Sequence, residues 1–133
     1  MASNILKIAS AVIILVLAAV VLYSALTFPR VVVDLPVSFA AGVDREVRMF
    51  DVSFPHDKVL VEVAVTTGAA LWRASITDAN GEVWSHSKAQ GDSTTYQSGW
   101  IALPSGNYNF TFGTIGIGNL DANVKVTSKG GFW

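Results

Sequence analysis

The sequence predicts an all-β domain, an antiparallel sandwich of about eight strands in the jelly-roll style, preceded by one transmembrane α-helix. Three observations carry this. Ile8–Leu26 is a run of 19 residues without a charge. After Pro29 the apolar pattern changes to alternation by two, the period of a half-buried strand. Turn-forming groups, among them Asn80-Gly81 and Pro104-Ser105-Gly106-Asn107, punctuate that pattern at strand-length intervals.

The apolar run is interrupted only by Ser10, Tyr23 and Ser24. As a helix it spans ~28 Å, close to the ~30 Å hydrocarbon core of a bilayer. Ile8, Ile13, Leu15, Leu17, Val21 and Leu26 are expected to meet lipid as the membrane anchor. Ala11 and the pair Ala18 and Ala19 lie two turns apart and offer a small-residue surface for a neighbouring helix. Pro29 ends the helix, because proline cannot continue the ladder and biases the preceding residue to extended geometry. Tyr23 and Phe28 stand near the exit end, where aromatic rings suit the headgroup region.

A secretory signal has a shorter apolar stretch and a small-x-small cleavage site. Cleavage after Ala25 would put Tyr23 where a small side chain is needed, so the segment is expected to be retained. Lys7 and the short polar head favour an inside N-terminus, although Arg30, Arg45 and Arg48 follow on the other side. The expected arrangement is a single-pass protein of the cell membrane. Residues 1–28 form the anchor, with the N-terminus cytoplasmic, and residues 29–133 form one extracytoplasmic domain.

The strands follow in order. Val31–Val37 is β-branched but contains Asp34 and Pro36, which points to an edge strand or a bulge. Arg45–Phe54 alternates, with Val47 and Met49 on one face and Arg48 on the other. Lys58–Thr67 is the clearest case: Val59, Val61, Val63 and Val65 share a face opposite Leu60, Glu62, Ala64 and Thr66. Trp72, Ala74 and Ile76 alternate with Arg73, Ser75 and Thr77. Asn80-Gly81 then predicts a hairpin with a type I′ turn, followed by a returning strand over Glu82–Ser87. Lys88–Ser93 reads as a loop and Thr94–Leu103 as a strand. After the Pro104–Asn107 turn, Tyr108, Phe110 and Phe112 face one way. Gly113–Asn119 is glycine-rich and reads as a loop or bulge. Asp121–Ser128 is the last strand, with Ala122, Val124 and Val126 inward.

The stretch from Val59 to Val126 resembles the small jelly-roll ectodomains typified by pre-peptidase C-terminal domains and Golgi-dynamics-type domains. The matching features are the apolar strand Val59–Val65, the hairpin Ile76-Thr77-Asp78-Ala79-Asn80-Gly81, and Leu103-Pro104-Ser105-Gly106-Asn107-Tyr108 leading into a strand. The resemblance implies a binding or structural module without enzymatic activity, and it transfers no functional residues.

Composition narrows the chemistry. The chain has no cysteine, which removes disulfides, thiolate nucleophiles and zinc-thiolate sites. Its formal charge is −1. Beyond Lys7 there are eight basic and ten acidic residues, without the basic stripe that a nucleic-acid partner calls for. His56 lies in Phe54-Pro55-His56-Asp57, which reads as a turn, and His86 on a strand; both read as surface histidines. Asp51, His56 and Asp57, or His86 and Asp92, supply only part of a metal-ligand set. Asp78, Asn80 and Glu82 lack the twelve-residue pattern of a calcium loop. There is no Gly-x-Ser-x-Gly elbow. No catalytic residue, metal site or cofactor is expected.

The tryptophans are more informative. Trp72 shares a face with Ile76 and belongs to the core; Trp84 is opposite Val83 in parity and reads as exposed, a candidate partner contact or sugar-stacking ring. Phe132 and Trp133 end the chain after the flexible pair Gly130-Gly131, as further candidates for partner, bilayer or domain contact. Asn109-Phe110-Thr111 is a glycosylation sequon if the domain is exported.

The expected function is that of a membrane-anchored accessory or structural subunit, with the bilayer and other membrane protein subunits as partners. One alternative is a surface-filament or envelope-layer subunit, as an apolar helix joined to a β domain is also the plan of pilins. This chain lacks their charged processing site and an early Glu in the apolar run. A tethered carbohydrate-binding module is the other alternative.

Overall fold

The computed structural model describes residues 2–39, 42–68, 71–87, 95–116 and 119–131. Helix α1 runs from Ala2 to Thr27 and stops just before Phe28-Pro29, where the proline ring forbids a further helical turn. Eight strands follow: β1 (Arg30–Phe39), β2 (Gly42–Val52), β3 (His56–Gly68), β4 (Leu71–Asp78), β5 (Gly81–Ser87), β6 (Thr95–Ala102), β7 (Gly106–Gly116) and β8 (Leu120–Gly130).

The strands form two four-stranded antiparallel sheets. One has the order β1-β8-β3-β6 and the other β2-β7-β4-β5. Apart from β4 to β5, every connection between successive strands crosses from one sheet to the other or skips a neighbour, which is the double Greek key of a jelly roll. β1, β6, β2 and β5 are the edges. Pro36 therefore sits on an edge strand, where its missing N–H leaves no gap in a central ladder, and a bulge between Val31 and Val33 accompanies it.

The core lies between the sheets. β3 contributes Val59, Val61, Val63 and Val65; β8 contributes Leu120, Ala122, Val124 and Val126. The facing sheet contributes Trp72, Ala74 and Ile76 from β4 with Tyr108, Phe110 and Phe112 from β7. Phe39 of the facing sheet stacks on Phe112 at 6.1 Å, and Phe50 stacks on its cross-strand partner Tyr108 at 5.6 Å, so β1 covers the aromatic β7 row from across the core and β2 flanks it. In β2 the inward residues are Phe50 and Val52; Val47 and Met49 share the outer face and are exposed.

Two expectations are corrected. β7 continues through Gly113 to Gly116, where a loop or bulge was expected. Gly113 pairs with Arg45 on one side and Arg73 on the other, and two ladders hold a strand backbone whatever its side chain. The β4–β5 turn is not type I′. Its central residues are Ala79 and Asn80, neither with positive φ, and the left-handed position falls on Gly81 (φ 125°). The Asp78 carboxylate accepts the Asn80 N–H at 2.8 Å, an Asx turn that favours this geometry. Register then shifts between Ile76 and Thr77.

Candidate functional site

Among the described residues, the helix touches its own domain only near its C-terminal end. Along Ser3–Thr27 it is long and apolar enough to cross a membrane, and its most apolar window buries nothing in the domain. Ile8, Ile13, Leu15, Leu17, Val21 and Leu26 are all exposed, as are Ala11, Ala18 and Ala19.

At the C-terminal turn the picture reverses. Thr27 is fully buried, and its hydroxyl donates back to the Tyr23 carbonyl at 2.8 Å. The last four carbonyls of any helix lack intrahelical donors, and α1 has no basic residue in its own last turn. β3 supplies the missing donor. His56, the first residue of β3, has Nε2 2.8 Å from the Leu26 carbonyl oxygen and Nδ1 2.7 Å from Ser128 Oγ. A carbonyl only accepts, so Nε2 carries the proton and donates to Leu26. In the neutral ring Nδ1 then accepts the Ser128 hydroxyl proton.

His56 is thus only 7% exposed, and its expected place on the surface is corrected. The turn before it explains why. The His56 N–H donates to the Ser53 carbonyl at 2.8 Å, across a cis Phe54-Pro55 peptide, and this reverses the chain beneath the helix end. With both ring nitrogens engaged, His56 has none left to join Asp51 and Asp57 in holding a metal.

Gly130 and Gly131 complete the junction. They were expected to be a flexible pair, but they form a packing seam. A Cβ on Gly130 would overlap the Pro55 carbonyl oxygen. Gly131 has φ 64°, and a Cβ there would lie 3.2 Å from the Tyr23 hydroxyl oxygen and 3.3 Å from Thr27 Cβ. At Gly130 backbone meets backbone too closely for any side chain, and at Gly131 the left-handed backbone favours glycine beside the Tyr23 and Thr27 side chains. Lys58 Nζ reaches the Gly131 carbonyl at 3.5 Å. Phe132 and Trp133 lie outside the described residues.

A second feature is an aromatic cluster at the β5–β6 side of the sandwich. His86 stacks flat on Tyr96 at 3.8 Å. Trp84 stacks on Tyr96 at 6.5 Å and packs against the core. Trp84 is therefore half-buried rather than fully presented, because the bulge next to Ile76 sets Val83 outward and turns Trp84 toward the inter-sheet space. His86 is likewise half-buried, not a free surface histidine. Trp72 lies beneath, 5.6 Å from His86 and 5.7 Å from Tyr96, its indole N–H buried without an acceptor among the described residues. Burial pushes the Tyr96 phenol above its ordinary pKa. Asp92 lies outside the described residues.

The outer faces are shallow. On the β1-β8-β3-β6 sheet a trough of about 510 Å³ is lined by Asp34, Glu62 and Lys125, the lysine standing in register between the two acids. On the other sheet a trough of about 490 Å³ runs over Gly113 between Arg45 and Arg73. Arg73 pairs with Glu82 at 2.6 Å. Hydrogen bonds from Ser85 and Arg73 hold the Glu82 carboxyl below its usual pKa. Asn109 is exposed on this face, beside Met49. Among the described residues no three His, Asp or Glu side chains converge as a metal site.

No protein-family model matches the chain. No curated protein matches it either. Among solved structures it is similar to the C-terminal CBM6 of LamC, a marine laminarinase from Zobellia galactanivorans, at TM-score 0.41 and 13% identity over 79% of this chain and 94% of that one. It is also similar to a protein of infectious bursal disease virus, Gx strain, at TM-score 0.34 and 13% identity over 79% of this chain. The chain spans about a third, 33%, of that viral protein's length. The assignment as a jelly-roll-like sandwich rests on the strand order of the chain itself.

Proposed function

We propose that the protein is a membrane-anchored structural or accessory subunit whose helix and β-sandwich act as one rigid piece. The carrying observation is the contrast along α1. Its most apolar window is wholly exposed, while its last turn is clamped by His56, Ser128, Gly130 and Gly131. An exposed apolar helix of 25 residues needs a solvent other than water, and a bilayer supplies it. A clamped junction transmits the orientation of the helix to the domain, which suits a subunit that holds a fixed place in an assembly.

Ala11, Ala18 and Ala19 form the face on which a neighbouring membrane helix packs. The half-buried edge of Trp84 and the C-terminal Phe132-Trp133 are the partner contacts of the domain. The likeness of its turns to pre-peptidase C-terminal and Golgi-dynamics-type domains fits the same non-enzymatic role. The domain stands on the outer side of the cell membrane, with Lys7 inside. Purification of the full chain in mild detergent tests the proposal. Co-migration with other membrane subunits, lost in an Ala11→Leu, Ala18→Leu double variant, is the expected result. Recovery of monomer alone counts against it.

A further inference from the structure

We infer that the β2–β3 turn is a second membrane contact, with the Phe54 ring inserted among lipid headgroups beside the anchor helix. This rests on the reading of α1 as a transmembrane anchor.

Phe54 is 87% exposed, the most exposed large apolar side chain of the described residues. An aromatic ring held in water at a turn tip is unfavourable, and turn tips normally carry polar residues. Its place in the fold says what covers it. Phe54 is two residues from His56, so their Cα atoms are at most ~7.6 Å apart. The His56 ring bonds to the Leu26 carbonyl at 2.8 Å. The turn thus lies level with the last turn of α1. A helix of 26 residues is ~39 Å long, longer than the ~30 Å hydrocarbon core, so its last turn reaches the headgroup layer. That layer is where aromatic side chains are enriched.

The chain around it has matching chemistry. Phe28 and Val31 are exposed at the same end of the sandwich, where β1 begins and β2 ends. Arg30 is exposed between them and forms no ion pair among the described residues, so its guanidinium is placed to meet lipid phosphates. Together with α1, the Phe54 turn gives the domain two points of attachment on the bilayer. Two points, with the His56 clamp between them, fix its tilt.

The chain has no cysteine, so a single introduced thiol gives a unique label. The full-length protein, reconstituted in phosphatidylcholine–phosphatidylglycerol liposomes, carries a nitroxide at Phe54→Cys, at Leu17→Cys in mid-helix, or at Ser87→Cys at the far end of the sandwich. Accessibility to oxygen and to a water-soluble nickel complex reads the depth of each. The expected result is a label at Phe54→Cys with an oxygen-to-nickel ratio several-fold above that at Ser87→Cys and below that at Leu17→Cys. A ratio equal to that at Ser87→Cys, with Leu17→Cys deep in hydrocarbon, overturns the inference and leaves the anchor standing. A water-accessible Leu17→Cys overturns both. With Phe54 itself in place, a photoactivatable headgroup-level lipid is expected to tag the peptide containing it; failure to do so, while tagging Tyr23, counts against the inference.

Discussion

His56 holds the end of helix α1 to the β-sandwich: its Nε2–H donates to the Leu26 carbonyl at 2.8 Å while Nδ1 is hydrogen-bonded to Ser128 Oγ at 2.7 Å. One ring therefore joins three elements, α1, β3 and β8. The bond to Leu26 closes a helix carbonyl that no residue of the helix can close.

Loss of that clamp is the first prediction. His56→Ala leaves the part-buried Leu26 carbonyl and the buried Ser128 hydroxyl without this partner. Each unsatisfied group costs about 1–3 kcal/mol. Chemical unfolding of the full chain in detergent is expected to show a loss of at least that size, since two groups lose their partner. A double-mutant cycle with Ser128→Ala is expected to show non-additivity, because both act on one network. Additive effects would break the link between the two side chains.

The glycine seam gives a second. Gly130→Ala forces a Cβ into the Pro55 carbonyl, and Gly131→Ala adds a left-handed conformation to contacts with Tyr23 and Thr27. Overpacking of this kind costs ~1–3 kcal/mol. Each variant should melt below wild type, and a label on Leu26→Cys should become more mobile relative to the domain.

The third contrasts core and surface. Phe112→Ala empties a fully buried ring site stacked on Phe39, at a cost of ~3–5 kcal/mol. Met49→Ser changes a side chain that is 84% exposed and should stay within ~0.5 kcal/mol. Thermal melts of the two variants check the inner and outer faces assigned to β7 and β2.

Alkaline pH supplies the fourth. Burial, and then the Asp78 carboxylate, push the Tyr108 phenol above its ordinary value, and burial does the same for Tyr96. A raised folded pKa means that the folded state holds the proton more tightly. Its contribution is complete below the unfolded value of about 10 and is lost as pH rises through the folded value. The unfolding midpoint should therefore fall above about pH 10, and less steeply in Tyr108→Phe. That variant also loses the hydroxyl bond to the Pro104 carbonyl, a cost of about 1 kcal/mol at pH values where the phenol is protonated. A Tyr108→Phe slope equal to wild type would remove Tyr108 from the effect.

Membrane insertion is the fifth. Leu17→Arg places a charge at mid-helix, which costs about 2.5–3.5 kcal/mol on insertion scales. Alkaline carbonate extraction of cell membranes should leave wild type in the pellet and move a larger share of the variant to the supernatant.

Much of the architecture was legible in the sequence because it follows from short-range patterns. A chargeless run followed by proline specified the helix and its end. Valine at every second position from 59 to 65 specified an inward face, as did Tyr108, Phe110 and Phe112. Pro36 pointed to an edge or a bulge. Each rests on the period of its element or on the sterics of one ring, and both act within a few residues. Side-chain destinations set by distant strands were not legible. Nothing near His56 names Leu26 or Ser128, which lie 30 and 72 residues away. Gly130-Gly131 looks the same in sequence whether it is a loose tail or a seam. Trp84 was turned inward by a bulge that the hairpin motif did not specify, and the strand through Gly113 was held by partners on both sides. The sequence by itself determined which segment is a continuous apolar helix and which strand faces are apolar or polar, since that depends on local polarity and period. Only the tertiary structure decided how the helix joins the sandwich, because that junction is made of hydrogen bonds and backbone contacts between segments brought together by the jelly-roll crossings.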